Sequence, residues 1–398
     1  MTREMPEVAI VGGGICGLVT ALALEQRGTT PTIYEAASEY RPVGAGLLLQ
    51  TNALLVLDHL GIVDRIRDVG IPLGDSVIRS PGGRVLKRFD LDRLERDEFG
   101  HGFVAIHRGD LQAILLDELD TDVETGAKCR AVTDVNEPTV QFADGTCVRP
   151  DVVVGADGIN SAVRDAVVPD VELRALDSVA YRAVATVDLP EEHRMRGIEV
   201  WGKGAYTGGA PLGEDRFYWF GTAPTSPTSL PADHPRPVSE LREQFASYPE
   251  PIPSVLESLD DDDVFVTALE EVPTLDRWSR GAVCLAGDAA HGMLPFAGQG
   301  AAQAIEDGLL LAHSISATDD RSDAFEAYER ERKPRADRIR SESQLLGRLG
   351  SIRSGIGAGT RNLLVGLVPD VLFQRARRQR ASGTSLPETA LGASDHSG

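Results

Sequence analysis

The chain has 398 residues, too many for one ordinary hydrophobic core, so two domains or one domain with an inserted layer are expected. Its net charge of -21 argues against nucleic acid and anionic membrane surfaces as partners, and no apolar run reaches the ~18 residues of a membrane span. A start without a basic, apolar leader makes the cytoplasm the expected location. Of 40 basic residues only Lys87, Lys128, Lys203 and Lys333 are lysine. Arginine on an acidic surface fits a halophile's salt-rich cytoplasm; a GC-rich genome is the plainer source of the same bias. Cys16, Cys129, Cys147 and Cys284 form no CxxC pair or Cys/His cluster, so reduced, mostly buried thiols and no metal site are expected.

In chain order, Glu7–Val11 is a short apolar strand, and Gly12, Gly14 and Gly17 follow it as GxGxxG. Ile15 to Gln26 has helical periodicity and stops near Gly28. A second strand ends at Glu35, and helical patterns cover Thr51–Leu60 and Gly109–Leu119. Val123 to Arg149 is β-rich with a turn at Asp144-Gly145. "DVVVGADG" is a strand buried on both faces. From Val179 to Phe220 alternating segments predict a β-sheet layer inserted into an α/β domain. "AVCLAGD" returns to the buried-strand type, and helices occupy the remainder. Pro334 is expected to kink or split the charged helix Ser322–Leu349, and the last ~15 residues read as disordered. The expected division is 1–175 with 265–345 as a discontinuous nucleotide domain, 176–264 as the β layer, and 346–398 as helices and tail.

The first glycine cluster stands between a strand and a helix, which gives it meaning. Gly12 permits the turn, Gly14 lets backbone approach a pyrophosphate, and Gly17 allows close helix–strand packing. The helix N-terminus offers unpaired N–H groups to the phosphates. Glu35, 18 residues after Gly17, can accept both hydroxyls of an adenosine ribose. A second cluster, Asp157-Gly158, leads toward Ser161 and Arg164; a helix cap would equally explain Asp157. In the third, "LAGDAAHGMLPFAGQGAAQ", Asp288 ends a buried strand where it can accept from a sugar-like hydroxyl chain. Pro295 to Gly300 are bare enough for a flat ring to lie against their backbone. The helix from Gly300 aims its positive end at that ring, as a reduced, anionic isoalloxazine requires. His291 reads as a loop histidine bonded to backbone.

In this order and spacing the three motifs resemble the class A flavoprotein monooxygenases, the p-hydroxybenzoate hydroxylase fold, over residues 5–345. The resemblance implies an α/β protein: a Rossmann-like FAD-binding domain, an inserted β-sheet substrate layer and C-terminal helices. It implies FAD held by Gly12, Gly14, Cys16, Gly17, Glu35 and Ala36 at the ADP end. Arg41, Leu48, Arg108, Gln112 and Cys129 match further family positions along the cofactor. Asp157 and Gly158 lie near the pyrophosphate, Asp288 at the ribityl chain, and Pro295, Gly298, Gln299, Gly300, Ala301 and Ala302 at the flavin ring. NAD(P)H is then a transient co-substrate, and O₂ forms a flavin C4a-hydroperoxide that hydroxylates or epoxidises an aromatic or olefinic small molecule.

Within the class the sequence is most similar to the urate hydroxylase, salicylate hydroxylase and zeaxanthin epoxidase branch. Tyr218 matches a pocket tyrosine, whereas Tyr206 stands where the urate-binding arginine would be, so an anionic purine loses its charge partner. Tyr218, Tyr206 and Arg182 are the catalytic and anion-binding candidates; Tyr181 and Trp201 line the pocket or pack in the core. Other readings are an O₂-independent reductase similar to the geranylgeranyl reductases, and a flavin-holding redox sensor without catalysis. A monomer or homodimer is expected. "RARRQR" at Arg375–Arg380 reads as a solvated helix face.

Overall fold

The computed structural model describes residues 6–40, 45–213, 215–224 and 237–387. Apolar segments bounded by glycine build a six-stranded sheet in the order Ser279–Arg280, Val283–Leu285, Val152–Gly155, Val8–Val11, Thr32–Glu35, Val123–Thr125. All neighbours are parallel except the first pair. Val11 stands level with Gly155 and Tyr34, and Gly155 with Leu285, so the three motif loops leave the sheet at one edge. That is where an open α/β sheet takes ligands. The helix Ile15–Glu25 is buried along nearly its whole length because Gly300–Ala317 packs on it; a Cβ at Gly308 would stand 2.8 Å from Val19 Cγ1.

A seven-stranded sheet forms the second layer, in the order Phe265–Glu271, Arg174–Thr186, Arg216–Pro224, Tyr206–Pro211, Arg196–Trp201, Asp75–Arg79, Val85–Asp90. It therefore extends beyond the expected 176–264 segment at both edges. Two strands come from upstream and one from downstream. Its back face buries Tyr181, Phe217 and Trp219 under the helices Val238–Phe245 and Ile252–Glu257. Tyr181 is thus core rather than pocket. Gly46–Leu49, in a three-stranded sheet, joins the two layers: a Cβ at Gly46 would fall 2.5 Å from Tyr218 Cβ.

The charged helix runs unbroken over Arg321–Gly350. Pro334 removes one N–H, but it and Arg330 are exposed, so water can serve the orphaned carbonyl. Arg332, Arg335, Ile339 and Ser343 bury the opposite face. The basic run lies in the helix Asp370–Ser382. There Arg377 pairs with Glu95, Arg378 with Glu98 and Arg380 with Glu342, so it is docked rather than only solvated. Cys16 and Cys284 are buried, Cys129 half-buried and Cys147 exposed, so the thiols are less uniformly buried than expected. The predicted disorder of the last residues falls largely outside the described residues.

Candidate active site

Gly12 takes φ +108°, and a Cβ on it would sit 2.3 Å from the Ala156 carbonyl oxygen. Only glycine makes this turn, which brings the chain into the helix Ile15–Glu25. That helix has Gly14 as its N-cap, no side-chain cap and no acid in its first turn. Space around Gly14 is open, with Arg108 Nη2 the nearest group at 4.0 Å from a notional Cβ. The helix Gly300–Ala317 likewise starts without a side-chain cap or a first-turn acid. Two bare, positive helix ends thus face the sheet edge, where they attract an anionic ligand.

The acids around this crevice behave differently from one another. Glu35 Oε2 accepts from Gly13 N at 2.7 Å and Oε1 from Ala37 N at 2.8 Å, which holds the carboxylate at the strand tip next to exposed Ala36. Asp288 does not end the strand, which stops at Leu285; it opens the short helix Asp288–His291 after Gly287 at φ +59°. Its side chain opens into the crevice but is closely surrounded by protein. Loss of water raises its carboxyl pKa, His291 and Arg108 oppose this, and Asp307 adds to it. Asp157 is engaged locally: Oδ1 accepts from Ser161 Oγ at 2.5 Å, and Oδ2 from Ala162 N and Val163 N at 2.7 and 3.2 Å. It caps the turn that presents Gly158, where nothing lies within 4 Å of a notional Cβ.

Residues predicted to meet the cofactor divide into lining and support. Gly298 and Pro295 are exposed in the crevice, and Gly300 has nothing within 4 Å of a notional Cβ. Ala301 is half-buried; Ala302 is buried under the first turn of the helix Gly300–Ala317. Gln299 is buried, trading hydrogen bonds with Asn52, while Gln50 Nε2 donates to the Ala297 and Gly298 carbonyls. Gln112 Nε2 donates to the Gly13 carbonyl, which the Tyr40 hydroxyl also reaches. Cys16 packs beneath Gly287, and its thiol pKa is raised well above the ordinary value by burial, then by Asp307 and Asp288. Burial and then Asp157 push the Cys129 thiol up to about 12. Leu48 packs with Tyr218 in one cluster. Arg41 lies outside the described residues.

A buried ionic cluster backs the Pro295–Gly300 loop. Asp307 accepts from Arg332 Nε at 2.7 Å, Gly287 N at 2.8 Å and His291 Nε2 at 2.6 Å. Glu306 accepts from Asn52, Arg335 and Arg332. Burial alone would raise both carboxyls, but His291 and Arg332 hold Asp307 well below the usual range, and Arg332 and Arg335 lower Glu306. His291 is therefore bonded to a carboxylate, not to backbone as expected: it is buried where no loop carbonyl reaches Nε2.

The front face of the seven-stranded sheet looks toward that loop. Register aligns Arg182, Phe220, Gly208 and Glu199 in one row, and Trp201 with Tyr206 in the next. Tyr206 and Tyr218 flank Phe220, with ring centroids 5.1 and 6.0 Å away. Tyr206 also lies 5.8 Å from the ring of Phe296, in the Pro295–Ala297 turn, so the seven-stranded sheet and that loop meet there. Arg182 Nη1 donates to Thr267 Oγ1 at 2.6 Å, and its charge opposes the rise that burial gives the Tyr218 hydroxyl pKa. Among the described residues it makes no ion pair. Glu199 accepts from Trp201 Nε1 at 3.1 Å. Burial raises its carboxyl pKa against that bond.

A family model described as an FAD binding domain matches residues 5–343. The chain belongs to the class A flavoprotein monooxygenases. It is 32% identical over 374 residues to the aurachin C monooxygenase/isomerase of Stigmatella aurantiaca, covering 93% of this chain and 97% of that one. It is 33% identical over 387 residues to the 2-heptyl-3-hydroxy-4(1H)-quinolone synthase of Pseudomonas aeruginosa, covering 94% and 98%. The structure of Klebsiella pneumoniae HpxO with FAD and uric acid superposes with TM-score 0.84 at 25% identity, covering 96% and 98%.

The monooxygenase uses FAD, with NAD(P)H as the family's co-substrate. Its crevice fits that cofactor: two uncapped helix ends, an open glycine path, Arg108 beside Gly14, and carboxylates at Glu35 and Asp288. Sequence reasoning missed Glu199, Tyr40, Gln50 and Phe296. Glu199 alone had a legible signal, as an acid two residues before Trp201 on an alternating strand. Among the described residues no single helix is long and apolar enough to cross a membrane.

Proposed function

We propose that the monooxygenase hydroxylates a small aromatic or heteroaromatic ring held between the Tyr206–Phe220–Tyr218 face and the Pro295–Gly300 loop. The observation that carries this is the contact of Tyr206 with Phe296, which puts an aromatic wall against the loop assigned to the flavin ring. Bound FAD would supply the redox chemistry, passing two electrons from NAD(P)H to O₂ so that one oxygen atom enters the ring and the other leaves as water. The rest falls to the chain. The helix ends at Gly14 and Gly300 hold negative charge on pyrophosphate and flavin. Glu35 accepts from the ribose and Asp288 from the ribityl chain. Phe220, Phe296, Trp201 and Leu48 exclude water from the reacting carbon, while Tyr218 and Tyr206 hold the ring's polar substituents and relay a proton. Arg182 acts through Tyr218, and Cys129 and Gln112 support the cofactor path rather than touch the substrate.

Relatives named for quinolones, hydroxybenzoate, hydroxynicotinate and urate set the range of rings to test. Urate itself is disfavoured, because a tyrosine and a nearby carboxylate replace the expected cation. We assign the FAD domain to 1–175 with 265–345, the substrate layer to 176–264 plus its borrowed edge strands, and 346–398 to the C-terminal helices and tail. The protein would act as a monomer or homodimer, and its unpaired thiols suit a reducing cytoplasm. The test is NADH and NADPH oxidation by FAD-loaded protein with phenols, salicylates, purines, quinolones and polyenes, scoring oxygenated product beside peroxide. One accelerating compound recovered hydroxylated supports the reading. Epoxidised polyene alone, or only slow, substrate-independent peroxide, overturns it.

A further inference from the structure

Of the eleven large apolar residues exposed among the described residues, six fall within a span of 17: Ile356, Leu363, Leu364 and Leu367 on the helix Gly355–Leu367, and Val371 and Leu372 on the helix Asp370–Ser382. The first four are separated by 7, 1 and 3 residues, which sets them along one side of a helix. The opposite side is held by the protein. Ala358 and Arg361 are buried there, and Arg361 Nη2 donates to the Trp201 and Gly202 carbonyls at 3.0 and 2.9 Å. Val365 packs in one cluster with Trp201 and Tyr206. Packing of the inner side therefore covers none of the outer leucines. The two helices are bent by 80° at their junction, and Val371 and Leu372 stand just past it.

The charge of this elbow differs from that of the whole chain. Residues 343–369 hold no acid, and residues 351–387 hold six arginines against Asp370 alone. Asp370 is tied to Lys87, while Arg377, Arg378 and Arg380 are spent on Glu95, Glu98 and Glu342. Lys203, Arg353 and Arg375 are exposed and make no ion pair among the described residues. Lys203 Nζ stands 3.3 Å from a notional Cβ of Gly355, and Arg353 precedes the helix N-cap Ser354, so both lie at the Ile356 end of the stripe. Arg375 is one turn beyond Leu372, at the other end.

We propose that this elbow docks the protein peripherally on an anionic lipid surface, the leucines entering the headgroup boundary and the three cations meeting headgroup phosphates. Each helix has 13 residues against the ~20 of a membrane span, so the contact is interfacial. The net charge of -21 opposes docking mainly at long range, because salt screens charges more than about 8 Å away. A second copy seated on the same face would meet these cations with identical cations. Residues 388–398 are too polar to cover the stripe, since Leu391 is their one large apolar residue. Because the inner side of the first helix holds Trp201, docking sets that end of the aromatic face about one helix diameter, ~10 Å, from the headgroups.

The test is flotation of FAD-loaded, full-length protein with vesicles of phosphatidylcholine, alone or mixed equally with phosphatidylglycerol, beside light scattering for mass in lipid-free buffer. Binding to the anionic vesicles should be roughly ten- to a hundredfold tighter than to the neutral ones, and molar KCl should shrink the difference. Leu363→Gln/Leu367→Gln should weaken binding to the anionic vesicles at least about tenfold. FAD content and Tm should not change, because both side chains are already exposed. Lys203→Gln/Arg375→Gln should remove the preference for anionic lipid, a check independent of the leucines. Absence of vesicle binding, equal binding to both compositions, or binding that survives both double variants overturns the proposal. So does a lipid-free dimer that Leu363→Gln/Leu367→Gln splits, which assigns the face to a second copy.

Discussion

Two groups of buried acids and arginines lie on either side of the flavin loop and behave in opposite ways. Behind it, Glu306 and Asp307 meet Arg332, Arg335 and His291, and each carboxyl is held below its ordinary range. In front of it, Glu199 and Arg182 share one sheet face but bond to Trp201 and Thr267, and the Glu199 carboxyl is raised. Desolvation acts on both sets; only the first has cations close enough to outweigh it. The first set balances its charge within the chain, although His291 Nδ1 and Arg335 Nη1 have no hydrogen-bond partner; the second holds its one carboxylate and one guanidinium apart on the sheet.

The largest expected effect breaks the closed set. Asp307→Ala leaves Arg332 and His291 short of a buried anion and strips Gly287 N of its acceptor. Such losses cost about 3–5 kcal/mol, so denaturant unfolding should show a drop of that order. The same group sets an acid limit. Its folded pKa is depressed, so its stabilisation is complete above the unfolded value of about 3.9 and is lost as pH falls below it. Asp307→Asn should flatten that acid limb of the stability–pH curve.

Next, Asp288→Ala removes a crevice acid that the closed cluster does not use. FAD affinity should fall roughly ten- to a hundredfold by equilibrium dialysis, with apoprotein stability little changed. Full occupancy with a normal flavin spectrum would remove Asp288 from the site. On the open face, Tyr218→Phe should raise KM for the hydroxylated ring about tenfold, from one lost hydrogen bond. An unchanged KM and kcat would make Tyr218 mere packing. The smallest effect belongs to Arg378→Ala, which breaks the exposed pair with Glu98 and should cost less than about 1 kcal/mol. A KCl melting series should erase that difference while sparing the Asp307 cluster. Absence of stabilisation of the wild-type chain by molar KCl would reject the halophile reading of its composition.

The sequence by itself determined the first glycine turn and its surroundings. Gly12, Gly14, Gly17 and Glu35 are local in nature: a turn that only glycine makes, a helix that must start there, an acid at a strand tip. Such features depend on neighbours in the chain, so spacing exposes them. Tertiary structure alone decided the rest. Whether Gln299 and Gln112 touch ligand or hold backbone depends on partners 247 and 99 residues away in the chain, and whether Tyr181 faces pocket or core depends on the helices that cover its sheet. The aromatic face belongs to this class. Tyr206, Tyr218, Phe220 and Phe296 meet only once neighbouring strands and the loop lie side by side, because a side chain's surroundings are set by register and packing and not by its own residue type.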